Sequence, residues 1–233
     1  SGRFAAAFDE TVVEWSGPTL TPRQWTTPGH TQELAYAPDG SGLVALGHDG
    51  SVAILGREGP PRTLAAGAPD SDIQAIRFAP TGATLAVYHR DVGVTLHDLA
   101  TDTTRQLTGA QAIVERTWIA PTLHHSPSGQ ALAVLDGPLL QRWSLLAPDA
   151  PVRLDVPAGW DFGFLDEHRL AVVTLDGSLE LVETTSGAHA PLRRAISGRP
   201  RPQLARTTDG LVLLTWYGEV LRFTDPVPAP GDP

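Results

Sequence analysis

The sequence predicts an all-β fold assembled from a repeated module of four antiparallel strands, and three observations carry the prediction. A tight-turn signature recurs as Ala37-Pro38-Asp39-Gly40, Ala79-Pro80-Thr81-Gly82, Ser126-Pro127-Ser128-Gly129 and a worn Thr207-Thr208-Asp209-Gly210, with Leu165-Asp166-Glu167-His168 in the matching place. Aligned on Pro38, Pro80, Pro127, Asp166 and Thr208, the steps are 42, 47, 39 and 42 residues. Each copy separates two runs rich in Val, Leu, Ala and Ile, and the second run is apolar nearly throughout, the mark of a strand buried on both faces. A lone small sheet cannot cover both of its faces, whereas sheets stacked around an axis shield one another; a period of about 40 to 45 residues with strand patterning is that of propeller blades. The expected fold is therefore a β-propeller of four-stranded antiparallel blades, about six in number, four complete and two partial at the termini.

The opening residues supply the first partial blade. Arg3-Phe4-Ala5-Ala6-Ala7-Phe8, the turn Asp9-Glu10, Thr11-Val12-Val13-Glu14-Trp15 and Arg23-Gln24-Trp25 read as second, third and fourth strands without a first. The next module is the fullest: Glu33-Leu34-Ala35-Tyr36, the turn at Pro38, Gly42-Leu43-Val44-Ala45-Leu46, a His48-Asp49-Gly50 turn, Ser51-Val52-Ala53-Ile54-Leu55, then Arg62-Thr63-Leu64. Proline presets φ at the second turn position and glycine accepts positive φ, so these elements are hairpin-linked antiparallel strands. Three further modules repeat the grammar, with first strands ending at Phe78, His125 and Phe164 and third strands ending at Asp98, Trp143 and Val182. The last begins at Gln203, continues through Leu211 to Thr215 and stops after Phe223 without a fourth strand. A propeller domain is expected over 1–225 and a Pro-rich C-terminal tail over 226–233.

Composition narrows the function classes. The net charge of −9 argues against general affinity for nucleic acid or anionic membrane, because a polyanion is held by clustered positive charge. All 17 basic residues are arginine, which removes Schiff-base lysine chemistry and the P-loop lysine. There is no cysteine, so disulfides, thiolate zinc sites and thiol catalysis are excluded. No apolar run approaches the roughly 18 residues that span a bilayer, and no basic segment leads into an apolar core at the N-terminus. A soluble, cytoplasmic protein is expected. Abundant Arg, Ala, Gly and Pro fit a GC-rich bacterial genome, and the absence of methionine fits a processed product or a piece of a longer protein.

The modules resemble the WD-repeat propeller family. In that family a Gly-His pair precedes the inner strand, an Asp sits in the turn between second and third strands, and the third strand ends in Trp-Asp. Gly29-His30 matches the first feature, Asp9, Asp49, Asp91, Asp136 and Asp176 the second, and Trp15 and Trp143 the tryptophan. Leu55, His97, Val182 and Phe223 stand at the tryptophan position elsewhere, and only His97-Asp98 keeps the following Asp, so the repeats are degenerate. The resemblance implies a rigid disc whose loops and channel rim meet other proteins. In bacteria, propellers of this kind often form the sensing part of longer signalling or defence proteins.

Candidate residues divide between surface and structure. His48-Asp49 and His89-Arg90-Asp91 fall in the repeated turns between second and third strands, where His48 and His89 could form part of a polar binding rim, while Asp9, Asp49, Asp91, Asp136 and Asp176, with His30, are read as turn-fixing groups that accept nearby hydrogen bonds. Arg199, Arg201 and Arg206 form the basic concentration of an acidic chain, either a solvated connector or a patch for an acidic partner. Trp118, Trp216 and Tyr217 near strand ends are either exposed anchors or wedges between blades. His124-His125 is the most ligand-like pair, but adjacent strand side chains point to opposite faces, and His125 takes the aromatic packing place of Tyr36 and Phe78.

No nucleophile elbow, phosphate loop or His-Glu-x-x-His motif is present, and first-strand Glu33, Gln74, Asp161 and Gln203 make a thin set for a metal. No cofactor, metal or catalytic residue is expected. The sequence favours a non-enzymatic scaffold or sensor that binds a protein or another domain of its own polypeptide. The alternatives are a propeller enzyme, of lyase or lactonase type with a cation in the channel, and a carbohydrate- or peptide-binding surface module.

Overall fold

A computed structural model of the chain describes residues 2–56, 59–64, 73–89, 92–107, 109, 121–147, 151–193, 203–207, 210–214 and 220–224. Every regular element among them is a β-strand, and every strand pairing is antiparallel and joins chain neighbours. The all-β expectation holds. The chain divides into two compact units, Ser1–Ala112 and Ile113–Pro233.

The first unit holds three sheets. β1 (Arg3–Phe8), β2 (Thr11–Ser16) and β3 (Thr21–Thr26) form a three-stranded meander. The second sheet is β4 (Thr31–Tyr36), β5 (Gly42–Gly47), β6 (Val52–Gly56) and β7 (Arg62–Leu64). The third is β8 (Ile73–Phe78), β9 (Thr84–His89), β10 (Gly93–Asp98) and β11 (Thr103–Gln106).

The second unit repeats the pattern. Its four-stranded sheets are β12 (Thr122–His125), β13 (Ala131–Asp136), β14 (Leu139–Ser144) and β15 (Val152–Asp155), then β16 (Gly159–Phe164), β17 (Arg169–Thr174), β18 (Leu179–Glu183) and β19 (His189–Arg193). β20 (Gln203–Thr207), β21 (Gly210–Leu214) and β22 (Val220–Thr224) make a three-stranded sheet.

The recurring turn behaves as its residues require. Gly40, Gly82 and Gly129 hold φ of 72°, 76° and 74°, a region that side chains with a Cβ avoid, and each donates its N–H back to the residue before the turn, at 2.8 to 2.9 Å. Fixed turns fix register, and register decides which side chains enter the core. β5, β9, β13 and β17 are buried almost end to end, whereas β11 is exposed along its length and β7 and β15 bury only Leu64 and Leu154.

Packing is sheet on sheet. Val12 and Trp25 of the first sheet meet Leu43, Ala45, Ala53 and Leu55 of the second, with Ala5, Ala7, Leu34 and Tyr36 at the border. Val44, Leu46 and Val52 of the second meet Ile76, Phe78, Leu85 and Val87 of the third. In the other unit Ala133, Leu135, Leu140 and Leu154 meet Phe162, Phe164, Leu170 and Val172. First strands lie beside first strands, β4 along β8 and β12 along β16.

Sequence patterning missed a repeated irregularity. The pairing of first with second strand slips at the start of β4 between Thr31 and Glu33, of β8 between Ile73 and Ala75, and of β16 between Gly159 and Asp161. The skipped residues, Gln32, Gln74 and Trp160, all stand six positions before the turn residue Pro38, Pro80 or Asp166. A bulge bends a strand and re-aims the residues that follow it. Here those residues include Glu33 and Asp161.

Candidate functional site

Three groups of polar side chains could carry chemistry, and each is built from repeated positions. The first is the rim formed by the turns after second strands. Asp49 Oδ1 accepts the Ser51 N–H at 3.0 Å, and Asp176 Oδ1 accepts the Ser178 N–H at 3.0 Å together with the Thr174 hydroxyl. Hydrogen bonds from Ser51 hold the Asp49 carboxyl below its usual range, and those from Thr174 and Ser178 do the same for Asp176. These bonds fix two-residue corners in the manner of Asx turns. His30 reaches Asp9 Oδ1 through Nδ1 at 3.3 Å, both groups largely exposed, while the His30 carbonyl accepts the His48 N–H at 2.8 Å. Asp136 closes β13 and is buried.

The second group sits on first strands and ties neighbouring sheets. Within the first unit Arg77 Nη1 donates to Glu33 Oε1 at 2.8 Å, from β8 to β4. Within the second, His124 Nε2 lies 3.3 Å from Asp161 Oδ1, from β12 to β16, and the Phe162 ring meets the His124 ring edge-on at 4.9 Å. Asp161 also accepts the Phe162 N–H at 2.9 Å, so its carboxylate is positioned by backbone and imidazole together. Glu33 and Asp161 both stand five residues before their turn residue, and Arg77 and His124 both stand three before theirs. That stagger was available in the sequence. His125 points away from this pair and buries both ring nitrogens without a hydrogen-bond partner among the described residues. Burial, then the neighbouring His124, pushes its pKa down to about 4. The two imidazoles therefore do not converge on one ligand.

The third group is an internal chain in the third sheet. The Thr95 hydroxyl lies 2.9 Å from His89 Nε2 and 3.0 Å from His97 Nε2, and His97 Nδ1 reaches the Thr104 hydroxyl at 2.8 Å. One hydroxyl proton cannot serve both imidazoles, so one of the two Nε2 atoms is a donor to Thr95. His89, expected in a turn on a binding rim, is instead the last residue of β9, paired with Gly93 and Ile73, and only 1% exposed. Burial lowers both imidazoles, His89 to about 4 with help from His97. His97 is held between the Thr95 and Thr104 hydroxyls.

Trp118, Trp216, Tyr217, Arg199, Arg201 and Asp91 lie outside the described residues, and Arg206 falls within β20, where its backbone alone is described. Sequence reasoning also missed a clasp between the first two sheets. Arg3 donates to Glu14 Oε1 at 3.4 Å and to the Gly40 carbonyl at 2.9 Å while its guanidinium lies over the Tyr36 ring at 5.4 Å. Burial and the nearby Glu14 carboxylate raise the Tyr36 phenol to about 12. Among the described residues no three His, Asp or Glu side chains gather as a metal site, and no helix is long and apolar enough to cross a membrane. No protein-family model and no curated protein matches the chain.

Proposed function

We propose that the six sheets close around one axis as a degenerate WD-repeat-like β-propeller, and that the chain works as a non-enzymatic interaction scaffold or sensor. Its first strands line the hub and its turns form the rim. The partner is another protein or another domain of the same polypeptide, within a bacterial signalling or defence assembly. The acidic balance of −9 favours basic partner surfaces over nucleic acid or anionic lipid, and the cysteine-free composition fits a reducing compartment such as the cytoplasm.

The observation that carries this reading is the staggered pairing on first strands. Arg77 with Glu33 and His124 with Asp161 join adjacent sheets from the same two register positions, the carboxylate standing on the earlier sheet in the first pair and on the later sheet in the second, so the groups that could serve chemistry at a hub are engaged in holding it together. Function then falls to the rim, where His30, His48 and Asp9 are exposed on rigid turns. The test is binding against turnover. Pull-down and proximity labelling with the purified chain are expected to retain one protein whose capture weakens in a His30→Ala, His48→Ala variant. Turnover of a small molecule that is lost with a chelator, with no protein retained, would overturn the proposal.

A further inference from the structure

Leu85 and Val87 of β9 pack against Val44, Leu46 and Val52 of the second sheet, and residues two apart in a strand or directly paired across a ladder share a face. His89 stands two after Val87, Thr95 pairs with Val87, His97 with Leu85 and Thr104 with His97. The line of hydrogen bonds from His89 through Thr95 and His97 to Thr104 therefore runs over the face of the third sheet that meets the second. It is a polar line in an apolar seam. His89 ends it where three strands meet, pairing with Gly93 at the start of β10 and with Ile73 at the start of β8, beside the β8 bulge. Among the described residues, His97 is the charge that acts on His89, and Asp102, which Arg62 of β7 meets at 3.3 Å, is the one that acts on His97. From β5, β6, β7 and β8 come Leu46, Val52, Leu64 and Ile73, all apolar, while Asp98 and Arg105 lie on the other face of the sheet.

The hydrogen count makes this line sensitive to a single proton. With both rings neutral, one arrangement gives every hydrogen in it an acceptor: His89 Nε2 donates to Thr95, Thr95 donates to His97 Nε2, and His97 Nδ1 donates to Thr104. His89 Nδ1 is then a bare lone pair, which suits an atom buried without a partner among the described residues. A proton added to His89 goes onto that Nδ1 and makes it a buried donor with nothing to receive it. A proton added to His97 makes both of its nitrogens donors. Thr95 must then either turn its hydrogen toward His89 Nε2, which moves the His89 hydrogen to Nδ1, or hold a hydroxyl hydrogen that neither ring accepts. In each case one hydrogen of the line loses its acceptor in a dry seam. We infer that the line is an acid-operated latch on the rim: while both imidazoles are neutral it ties the meeting ends of β8, β9 and β10 into the seam, and a proton entering either ring opens that end of the third sheet. The latch regulates the rim of the scaffold reading and rests on that reading for its use, whereas its working is a property of the first unit alone.

The test is amide hydrogen exchange of the whole chain by mass spectrometry at pH 7 and pH 5, with each rate corrected for the intrinsic effect of pH. For a histidine of pKa about 4 when closed and 6.5 when open, the open population rises about twentyfold over this interval, so protection across β9 and β10 should fall by about that factor. Dilute urea should leave that exchange unchanged, since a local opening exposes little surface, while it speeds exchange in β5 and β6, which open with the whole unit. A His89→Gln, His97→Gln chain, which offers polar atoms to both threonines but takes up no proton, should lose the response to pH. Imidazole NMR of the unaltered chain at pH 7 should find the His89 hydrogen on Nε2. No fall in protection, a urea dependence in β9 and β10 equal to that of β5 and β6, or the His89 hydrogen on Nδ1 would each overturn the inference. None of these readings needs a partner, so failed capture at the His30 and His48 rim would leave the latch standing, and failure of the latch would leave capture untouched.

Discussion

Acid is expected to loosen the third sheet above the pH at which ordinary carboxylates protonate. His89 is 1% exposed and holds Thr95 through Nε2, and its Nδ1 is buried without a partner among the described residues. Burial, with the His97 imidazole as a second cause, lowers its pKa from 6.5 to about 4. As pH falls, the unfolded chain takes up this proton near 6.5 and the folded chain only near 4. The stabilisation is therefore complete above the first value and is lost progressively between the two. The slope is about 1.4 kcal/mol per pH unit for each such histidine, hence roughly 3 kcal/mol over the window. His125, lowered to about 4 by burial and by His124, adds a second loss of similar size. Against a folding stability of about 5 to 15 kcal/mol these are large effects. Urea unfolding from about pH 7 down to about pH 4.5, just above the carboxylate range, is the assay. His89→Gln, which can still bond to Thr95, should remove the His89 share of the acid slope and leave those of His97 and His125. The full slope in that variant, or an imidazole NMR titration placing His89 at its unperturbed 6.5, would refute the reasoning.

Three further outcomes follow from single sites. Trp143 is 1% exposed at the end of β14, so Trp143→Ala should cost about 3 to 5 kcal/mol by chemical denaturation. Gly82 holds φ of +76°, and a Cβ there would lie 2.8 Å from Asp39 Cγ in the neighbouring sheet. Gly82→Ala should destabilise by about 1 to 3 kcal/mol, relieved in part by Asp39→Ala, as urea midpoints of the two variants and the double variant can establish. A double-mutant cycle on Arg77 and Glu33, both partly exposed, should give a coupling of about 1 kcal/mol or less that shrinks in high salt.

Local chemistry made most of the fold legible. Ala-Pro-x-Gly turns, apolar second strands and the Asp-Gly-Ser corners state their geometry within a few residues, and Gly40, Gly82, Asp49 and Asp176 adopt it. The bulges at Gln32, Gln74 and Trp160 were less visible, because skipping one residue leaves the apolar pattern on either side intact. Side-chain partners across sheets were the least legible. Arg3 finds Glu14, Gly40 and Tyr36 only once two sheets stack, and nothing in the spacing of those residues announces it. Arg90 and Asp91 after His89 suggest a turn there, yet pairing with Gly93 extends β9 to include His89. For Glu33, Arg77, His124 and Asp161 a signal did exist, in their common distances from the turn, and comparing first strands position by position would have found it.

Ring closure is the claim on which the scaffold reading rests, and the chain is suited to a direct measurement of it because it contains no cysteine. Spin labels on Ser16→Cys, at the end of β2, and Thr224→Cys, at the end of β22, report the separation of the first sheet from the last. A closed ring makes these sheets neighbours. Since stacked sheets lie about 10 Å apart and spread outward, the pulsed EPR distance should be narrow, near ~20 Å, and close to that of the reference pair Ser16→Cys and Gly56→Cys on adjacent sheets. A broad distribution, or one centred beyond about 35 Å, more than three sheet spacings, would contradict closure.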